Sequence, residues 1–217
     1  MNVLFIGNSY TYYHDLEKLF ASLCRSNGKQ MDTYRVTSGG RKLIQYTDAE
    51  DPVTRQLADT LQCRQYDVVF LQEQSLLPAT DFELFWAGLN HVSQMVQASK
   101  PRIILYATWA RKASSPDLEK LGWTPETMTQ LLHSAYEKAA DALNAAVSPV
   151  GINFQKVAVL APQIDLHDPD LSHPSYLGSC LAALTHYHTL FGTFPENIEV
   201  LSLTDAERSV FKTVVCQ

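Results

Sequence analysis

Short apolar runs alternate along the chain with longer segments in which apolar residues recur at helical spacing. The apolar runs predict five strands, at residues 3–6, 31–36, 67–71, 103–106 and 157–160. The segments with a period near 3.6 residues predict helices at residues 13–27, from residue 52 to about 61, and at 81–99, 125–147, 175–191 and 205–215. Residues 111–124 and 163–174 show neither pattern, so they are expected to be loops.

The alternation of strands and helices determines the expected architecture. Strands that are joined through helices pair in parallel, and the helices then cover both faces of the sheet. At 217 residues the chain has the length of one α/β domain. The sequence therefore predicts a single domain, residues 1–217, folded as a three-layer α/β/α sandwich around a central, mainly parallel five-stranded sheet.

Polar residues and glycines stand directly after the predicted strands. Ser9 follows the first strand, the pair Gly39 and Gly40 follows the second, and residues 72–75 follow the third. The carboxyl ends of parallel strands meet at one edge of a sheet, and ligands bind at that edge in open α/β folds. We therefore expect a functional site there, together with the loop that precedes residue 175.

Ser9 lies on a predicted strand-to-helix turn, which allows two interpretations. As a nucleophile, its hydroxyl would lie near the positive end of the following helix, where developing negative charge is favoured. Alternatively, Asn8 and Ser9 are ordinary turn and cap residues. The turn alone does not decide between them.

A second polar stretch precedes the last long predicted helix. Asp170 and His173 are three residues apart, so a turn can bring the carboxylate against the imidazole and stabilise the imidazolium that forms when histidine accepts a proton. Pro174 would hold His173 at a defined angle. The alternative is a plain helix start with Ser172 as its N-cap. Combined with Ser9, however, these residues supply the nucleophile, the base and the orienting acid of an acyl-transfer site.

Composition and charge argue against several other classes of protein. A net charge of −6 without any Lys/Arg run argues against a nucleic-acid partner. No apolar stretch approaches the roughly 18 residues of a membrane span. No leader precedes the first strand, so the sequence as written predicts a cytoplasmic protein, or a secreted or periplasmic one if a leader has been removed. The four cysteines are far apart and metal-ligand spacing is absent, which predicts free thiols and no metal site.

Two stretches of the chain resemble motifs of the SGNH hydrolase superfamily, the GDSL-type esterases and lipases. Gly7, Asn8 and Ser9 resemble the family's Gly-Asp-Ser block at the end of the first strand, with Asn8 in place of the usual aspartate. Asp170 and His173 match the family's Asp-x-x-His block, including the proline that often follows it. The resemblance extends over nearly the whole chain in the order of its elements.

Two further blocks of that family are less closely matched. The glycine of the second block resembles Gly40, with Gly39 as the other register. The third block of the family is Gly-x-Asn-Asp, whereas this chain has Gln-Glu-Gln-Ser at residues 72–75. Gln74 stands in the place of the oxyanion-binding asparagine and offers the same amide on a stem one methylene longer. Gln72 is a weaker candidate for the same role.

The resemblance implies a serine esterase that hydrolyses short-chain acyl esters, acetyl esters in particular, of small molecules or carbohydrates. Ser9 would attack the ester carbonyl, His173 would be the base, and Asp170 would orient His173. The oxyanion would be stabilised by the backbone N–H groups of Ser9 and Gly40 and by the side-chain amide of Gln74. No metal or organic cofactor is implied.

Four residues beside these motifs are candidates for substrate binding, namely Asn8, Tyr10, Arg41 and Trp109. Tyr10 and Trp109 could line an acyl or sugar site, with packing in the core as the alternative. Arg41 could bind an acidic substrate or be a solvated loop cation.

The two histidines of the last long predicted helix are not expected to bind a metal together. His186 and His188 are two residues apart, so they face different directions on a helix. His188 continues the apolar stripe of that helix, and we expect it to be a core residue.

Two other functions compete with an esterase. A flavodoxin-like protein could bind phosphate at residues 8–11, although no glycine-rich nucleotide-binding motif is present. A non-catalytic carbohydrate-binding relative could have the same fold, and the glutamine at position 74 is the best argument for it.

Overall fold

The computed structural model describes residues 1–217 and confirms an α/β fold around one five-stranded parallel sheet. The strands are β1 (Asn2–Gly7), β2 (Asp32–Thr37), β3 (Val68–Leu71), β4 (Arg102–Tyr106) and β5 (Ala146–Ser148). Their order across the sheet is β2-β1-β3-β4-β5, and every neighbouring pair is parallel. β1 lies between β2 and β3, so the segments that follow these three strands emerge side by side.

The helices alternate with the strands, as the periodicity predicts. They are α1 (Ser9–Tyr12), α2 (Leu16–Ser26), α3 (Pro52–Cys63), α4 (Leu77–Thr80), α5 (Phe82–Val96), α6 (Pro116–Leu121), α7 (Pro125–Leu143), α8 (Val150–Leu160), α9 (Tyr176–Phe191) and α10 (Asp205–Val215). Short 3-10 segments occur at Tyr13–Asp15, Leu43–Thr47, Gln97–Ser99 and Glu199–Leu201.

The alternating side chains of β1 divide the core into two halves. Val3 and Phe5 pack with α2, α8, α9 and α10 on one face of the sheet. Leu4 and Ile6 pack with α3, α5 and α7 on the other face. Successive side chains of a strand point to opposite faces, so a strand that is covered on both faces has a continuous apolar sequence. The predicted three-layer sandwich is confirmed.

The predicted position of the fifth strand is wrong. Residues 157–160 form the end of α8, and the fifth strand is β5, which overlaps the end of the helix predicted at residues 125–147. α7 ends at Leu143 because Asn144 adopts a left-handed conformation with φ 51°, which is a common way for a helix to end at asparagine. Within residues 157–160 only Val157 is buried, whereas Val159 is 78% exposed. This one-sided burial is that of a surface helix.

The first predicted helix is divided into α1 and α2 by a kink. His14 and Asp15 have φ angles of 53° and 49°, a left-handed conformation that costs a residue with a side chain about 1 to 2 kcal/mol. Contacts on both sides hold this kink. Asp15 forms ion pairs with Lys18 and Arg35, and Nε2 of His14 is 3.1 Å from the carbonyl oxygen of Pro174. The kink therefore ties the start of α2 to the loop that precedes α9.

The predicted loop at residues 111–124 contains a helix, α6. The side chain of Ser115 caps its first turn, Pro116 is its first residue, and Gly122 ends it with φ 67°. These are the ordinary start and stop signals of a helix. The helix was missed because it is only six residues long and shows no periodic apolar pattern.

The buried histidine of α9 is His186, which corrects the expectation for His188. His186 is fully buried, whereas His188 is partly exposed. Nδ1 of His186 is 2.7 Å from Oγ of Ser148. The aromatic rings that surround His186 are those of Phe5, Phe20, Phe70 and Tyr106. Burial penalises the charged imidazole and lowers the pKa of His186 to about 3.

Three further properties of the structure concern the length of its helices, the state of its cysteines and the presence of metal ligands. No helix combines the length and the apolar character that crossing a lipid bilayer would require. The four cysteines are free, as predicted, and Cys24 and Cys180 are buried. The structure contains no cluster of three or more His, Cys, Asp or Glu side chains arranged to hold a metal ion.

Candidate active site

Ser9, His173 and Asp170 lie together at the carboxyl edge of the sheet and form a continuous hydrogen-bonded chain. Oγ of Ser9 is 2.8 Å from Nε2 of His173. Nδ1 of His173 is hydrogen-bonded to Oδ2 of Asp170. Residues from the two ends of the sequence are therefore aligned in the order hydroxyl, imidazole and carboxylate.

Asp170 is held by the turn that it begins. Its Oδ1 accepts hydrogen bonds from the backbone N–H groups of Ser172 at 3.0 Å and His173 at 2.8 Å. Partial burial opposes ionisation of Asp170, but the bonds from the His173 ring and from these two N–H groups outweigh it and hold its pKa at about 2. The carboxylate is thus ionised at neutral pH and is aimed at the imidazole.

Asn8 fixes the turn that carries Ser9. Its Oδ1 accepts the backbone N–H of Tyr10 at 3.2 Å and the Nε2 group of Gln72 at 2.9 Å. Its Nδ2 donates to the carbonyl oxygen of Arg41 at 3.0 Å. Asn8 therefore joins the turn after β1 to the loops after β2 and β3.

Gln72 supports the same turn from the end of β3. Its Oε1 accepts the backbone N–H of Asn8 and the hydroxyl of Thr11, both at 2.9 Å. Its Nε2 donates to Asn8 and to the carbonyl of Glu73. A Cβ atom on Gly7 would lie 2.5 Å from Oε1 of Gln72, so glycine at this position allows the close approach. The amide of Gln72 is fully used, which removes it as an oxyanion donor.

The loop that carries His173 is anchored to the segment after β4. The indole Nε1 of Trp109 donates to the carbonyl oxygen of Ser172 at 3.0 Å. The backbone N–H of Lys112 donates to the carbonyl oxygen of Leu171, also at 3.0 Å. These bonds hold the loop at Leu171 and Ser172, in addition to the contact between His14 and Pro174.

Aromatic rings fix the plane of the His173 imidazole. The ring of Tyr13 stacks on it, with the centroids 4.2 Å apart and the planes 9° from parallel. The ring of Tyr10 meets it edge-on at 5.5 Å and itself stacks on Trp109 at 4.5 Å. The imidazole is thus held in a fixed orientation from two sides.

Arg111 is a buried part of this site that the sequence did not reveal. It is 7% exposed, its Nη1 is hydrogen-bonded to the hydroxyl of Tyr10, and its Nε is 2.8 Å from Asp117. The Tyr10 hydroxyl is also 2.9 Å from Oγ of Ser172. Because Arg111 lies where the sequence shows no pattern, nothing marked it. Ser172 is part of this network and not the cap of α9, a role that Ser175 takes.

The four residues predicted to bind substrate are all buried. Asn8, Tyr10, Arg41 and Trp109 are at most 6% exposed. The guanidinium of Arg41, for example, forms an ion pair with Asp51 at 2.5 Å. Their side chains hold the loops of the site, and their direct contact with a substrate stays a prediction.

Gly40 lies in a β-turn whose conformation suits only glycine. The N–H of Arg41 donates to the carbonyl oxygen of Ser38 at 3.2 Å and closes the turn. Gly40 has φ 64°, which glycine adopts without strain at this position of a turn. The N–H groups of Gly39 and Gly40 both lack an acceptor within the protein, so this loop leaves two neighbouring donors unused.

Gln74 has one end of its amide fixed and the other end nearly unused. Its Oε1 accepts the backbone N–H groups of Leu76 at 3.0 Å and Leu77 at 3.1 Å, at the start of α4. Its Nε2 makes only a 3.4 Å contact with Oγ of Ser75. The amide is therefore oriented by its oxygen while its N–H donors remain unsatisfied.

Comparisons with known proteins point to one fold. No protein-family model and no curated protein matches the chain. Among solved structures, a protein from Slackia heliotrinireducens, itself only provisionally assigned as an SGNH hydrolase, has a TM-score of 0.76 at 26% identity over 88% of this chain and 98% of its own. A DUF4886 family protein from Bacteroides uniformis has a TM-score of 0.81 at 18% identity over 100% of this chain and 93% of its own. The acetylxylan esterase Axe2 from Geobacillus stearothermophilus has a TM-score of 0.63 at 15% identity over 88% and 94% of the two chains.

The similarity to these solved structures agrees with the architecture of the chain and with the position of its hydrogen-bonded side chains at the sheet edge. The sheet is parallel throughout, and the hydroxyl, imidazole and carboxylate meet at the carboxyl ends of its strands. The likenesses to the last two structures, at 18% and 15% identity, show the fold alone. Together with the likeness at 26% identity, the fold shows that this chain belongs to the SGNH hydrolase superfamily.

Proposed function

We propose that this chain is a serine esterase that hydrolyses short-chain acyl esters, with acetyl esters of small molecules or carbohydrates as its substrates. The observation that carries this proposal is the hydrogen-bonded chain from Ser9 through His173 to Asp170. A hydroxyl in contact with an imidazole, which is in turn held by a carboxylate, is the arrangement that activates an oxygen nucleophile for acyl transfer.

The proposed reaction has two halves. Oγ of Ser9 attacks the carbonyl carbon while Nε2 of His173 accepts the hydroxyl proton. The tetrahedral intermediate breaks its bond to the alcohol oxygen, His173 returns the proton to that oxygen, and an acyl ester of Ser9 remains. Water then attacks this ester with His173 again as the base, and the carboxylic acid leaves. Asp170 stays ionised, because its pKa is about 2, and stabilises the imidazolium in both halves.

Three N–H donors are proposed to stabilise the negative oxygen of the tetrahedral intermediates. They are the backbone N–H groups of Ser9 and Gly40 and the side-chain Nε2 group of Gln74. The support for Gly40 and Gln74 is that their donors lack good acceptors inside the protein. The three come from the loops after β1, β2 and β3, which are adjacent in the sheet.

Gln74→Glu tests the side-chain donor. The substituted side chain keeps an oxygen for the N–H groups of Leu76 and Leu77, but it presents a second oxygen where Gln74 has its donor. We expect kcat for p-nitrophenyl acetate to fall about 100- to 1,000-fold, with little change in thermal stability. Gln130→Glu, on the exposed face of α7, is the matched control. Equal activity of both variants and the wild type would remove Gln74 from the proposed oxyanion site.

The name of one structural neighbour supports a small acyl group. That neighbour is an acetylxylan esterase, which favours an acetylated carbohydrate as the natural substrate.

Turnover and covalent labelling together test the proposed function. We expect the wild type to hydrolyse p-nitrophenyl acetate with a kcat/KM at least about 10-fold above that for p-nitrophenyl dodecanoate. Diethyl p-nitrophenyl phosphate should inactivate the enzyme and add one diethylphosphoryl group, which peptide mass spectrometry should locate on Ser9. A folded protein that neither turns over the acetate nor takes the label would favour the binding-only alternative.

A further inference from the structure

Glu73 is a buried carboxylate that the proposed reaction does not use. It follows β3 and has no exposed surface. Its two oxygens accept the backbone N–H of Leu43 at 3.1 and 3.2 Å. Oε1 also accepts the backbone N–H of Gln74 at 2.6 Å. The side chain therefore links the loop after β2 to the loop after β3.

No cation pairs with this carboxylate. The ion pairs of the structure leave Glu73 out, and its partners are neutral backbone groups. Burial raises the pKa of Glu73 to about 7, although the N–H groups of Gln74 and Leu43 and the charge of Lys42 act in the opposite direction. An unpaired carboxyl in the interior lowers stability relative to an apolar side chain of similar size. The packing of the fold does not account for it.

Three side chains join the loops of the site in pairs. Asn8 links the turn of Ser9 to the loop after β2 through the carbonyl of Arg41. Gln72 links that same turn to the end of β3. Glu73 completes the set, because it links the loop after β2 to the loop after β3. Each of these three loops carries one of the proposed oxyanion donors.

We propose that Glu73 is a positioning residue that holds the loops of Gly40 and Gln74 at a fixed separation, so that their donors converge on one oxygen. The inference rests on the proposed function. Donors stabilise an oxyanion only when they lie within about 2.7 to 3.1 Å of it and need no rearrangement during the reaction. A bridge between the backbones of two loops supplies that rigidity. The bridge also fits the glutamine at position 74, where the family motif has the shorter asparagine. The backbone that carries the longer side chain has to be held in place.

The test compares Glu73→Gln with a matched control. A glutamine with its oxygen in the place of Oε1 still reaches both N–H groups, but its NH2 group then replaces Oε2 and faces the N–H of Leu43. A neutral amide oxygen is also a weaker acceptor than a carboxylate, so the bridge is weakened without a change of volume. Glu17→Gln removes another nearly buried carboxyl, which joins α2 to β2 through its ion pair with Arg35. We expect kcat for p-nitrophenyl acetate to fall about 10- to 100-fold in Glu73→Gln, with KM within about threefold. Glu17→Gln should keep the kcat of the wild type.

Amide hydrogen exchange provides a readout that does not depend on catalysis. In Glu73→Gln, the N–H groups of Leu43 and Gln74 should exchange faster than in the wild type, while amides in the interior strands keep their protection. If Glu73→Gln does not fold, as judged by circular dichroism, Glu73→Asp takes its place. It keeps the charge but is one methylene too short to reach both loops.

The outcomes separate this inference from the proposed function. Ser9-dependent turnover in the wild type, with an unchanged kcat in Glu73→Gln, overturns the role of Glu73 and leaves the esterase proposal intact. If the wild type lacks Ser9-dependent turnover, the esterase proposal fails, and the catalytic role of Glu73 fails with it. The positioning role is supported if hydrogen exchange becomes faster only at the amides of Leu43 and Gln74 and if kcat falls while KM stays within about threefold. Unchanged exchange overturns it.

Discussion

Ser9→Ala is expected to lower kcat for p-nitrophenyl acetate by about 10⁴-fold or more, because no other hydroxyl is hydrogen-bonded to the imidazole of His173.

Asp170→Asn should lower kcat by about 10³- to 10⁴-fold. The amide has no charge to stabilise the imidazolium, and it can turn an N–H toward Nδ1 of His173 and select the wrong tautomer. The measurement is steady-state hydrolysis, with the release of p-nitrophenol followed by absorbance.

The double variant Ser9→Ala with Asp170→Asn provides the sharper test. Residues that act as a unit show non-additive losses, so the double variant should be no slower than Ser9→Ala alone. Asp168→Asn, two residues from Asp170, is the control and should stay within about threefold of the wild type, because its side chain makes no hydrogen bond to His173. Independent, multiplicative losses would contradict a triad.

Acidification is expected to destabilise the fold through His186. The pKa of His186 is lowered by burial from 6.5 to about 3, so the unfolded state binds more protons than the folded state between these two values. The free energy of unfolding therefore falls as the pH falls through this window, by about 1.4 kcal/mol per pH unit from this residue. Its contribution to stability is complete above pH 6.5 and is lost by about pH 3.

The double variant His186→Leu with Ser148→Ala isolates this effect. Replacing both partners leaves no unpaired polar group behind. The difference in unfolding free energy between wild type and variant, measured with urea at several pH values from 7 to 4, should change in favour of the variant as the pH falls. A difference that stays constant across the range would show that His186 is not the source of the acid sensitivity.

Glu73 acts on stability in the opposite sense. Its pKa is raised from 4.5 to about 7, so the folded state binds more protons between these values and stability falls as the pH rises through them. The wild type and the His186 variant share this contribution, which therefore cancels in their difference. Glu73→Gln, in contrast, should lose less stability than the wild type between pH 4.5 and 7.

The residues proposed to react were accessible to sequence reasoning because each belongs to a short local pattern. Ser9 follows an apolar strand at once, and Asp170 stands three residues before His173. Such patterns place a side chain at a sheet edge or within reach of a neighbour without knowledge of the remaining fold. The supporting residues carry no such mark. Arg111 reaches Tyr10, and Glu73 reaches Leu43, only because the loops of different strands emerge together.

The burial of the substrate-binding candidates was not foreseen from the sequence. Tyr10, Arg41 and Trp109 have side chains that suit a sugar or an acid, and their positions beside the motifs made them candidates. All three are buried. The direction of a side chain at a loop depends on which neighbours need to be covered, and the sequence does not record those neighbours.

The sequence by itself determined the α/β class, the first four strands, most of the helices and the motif residues Ser9, Asp170 and His173. Periodicity records which faces of an element are buried, and turn residues record where the chain reverses. The tertiary structure alone decided the position of β5, the burial of His186 and the convergence of three loops on Ser9. A short apolar run fits a strand or a buried helix equally well, and a polar side chain is buried only where the facing elements supply its partners. The order β2-β1-β3 placed these loops side by side.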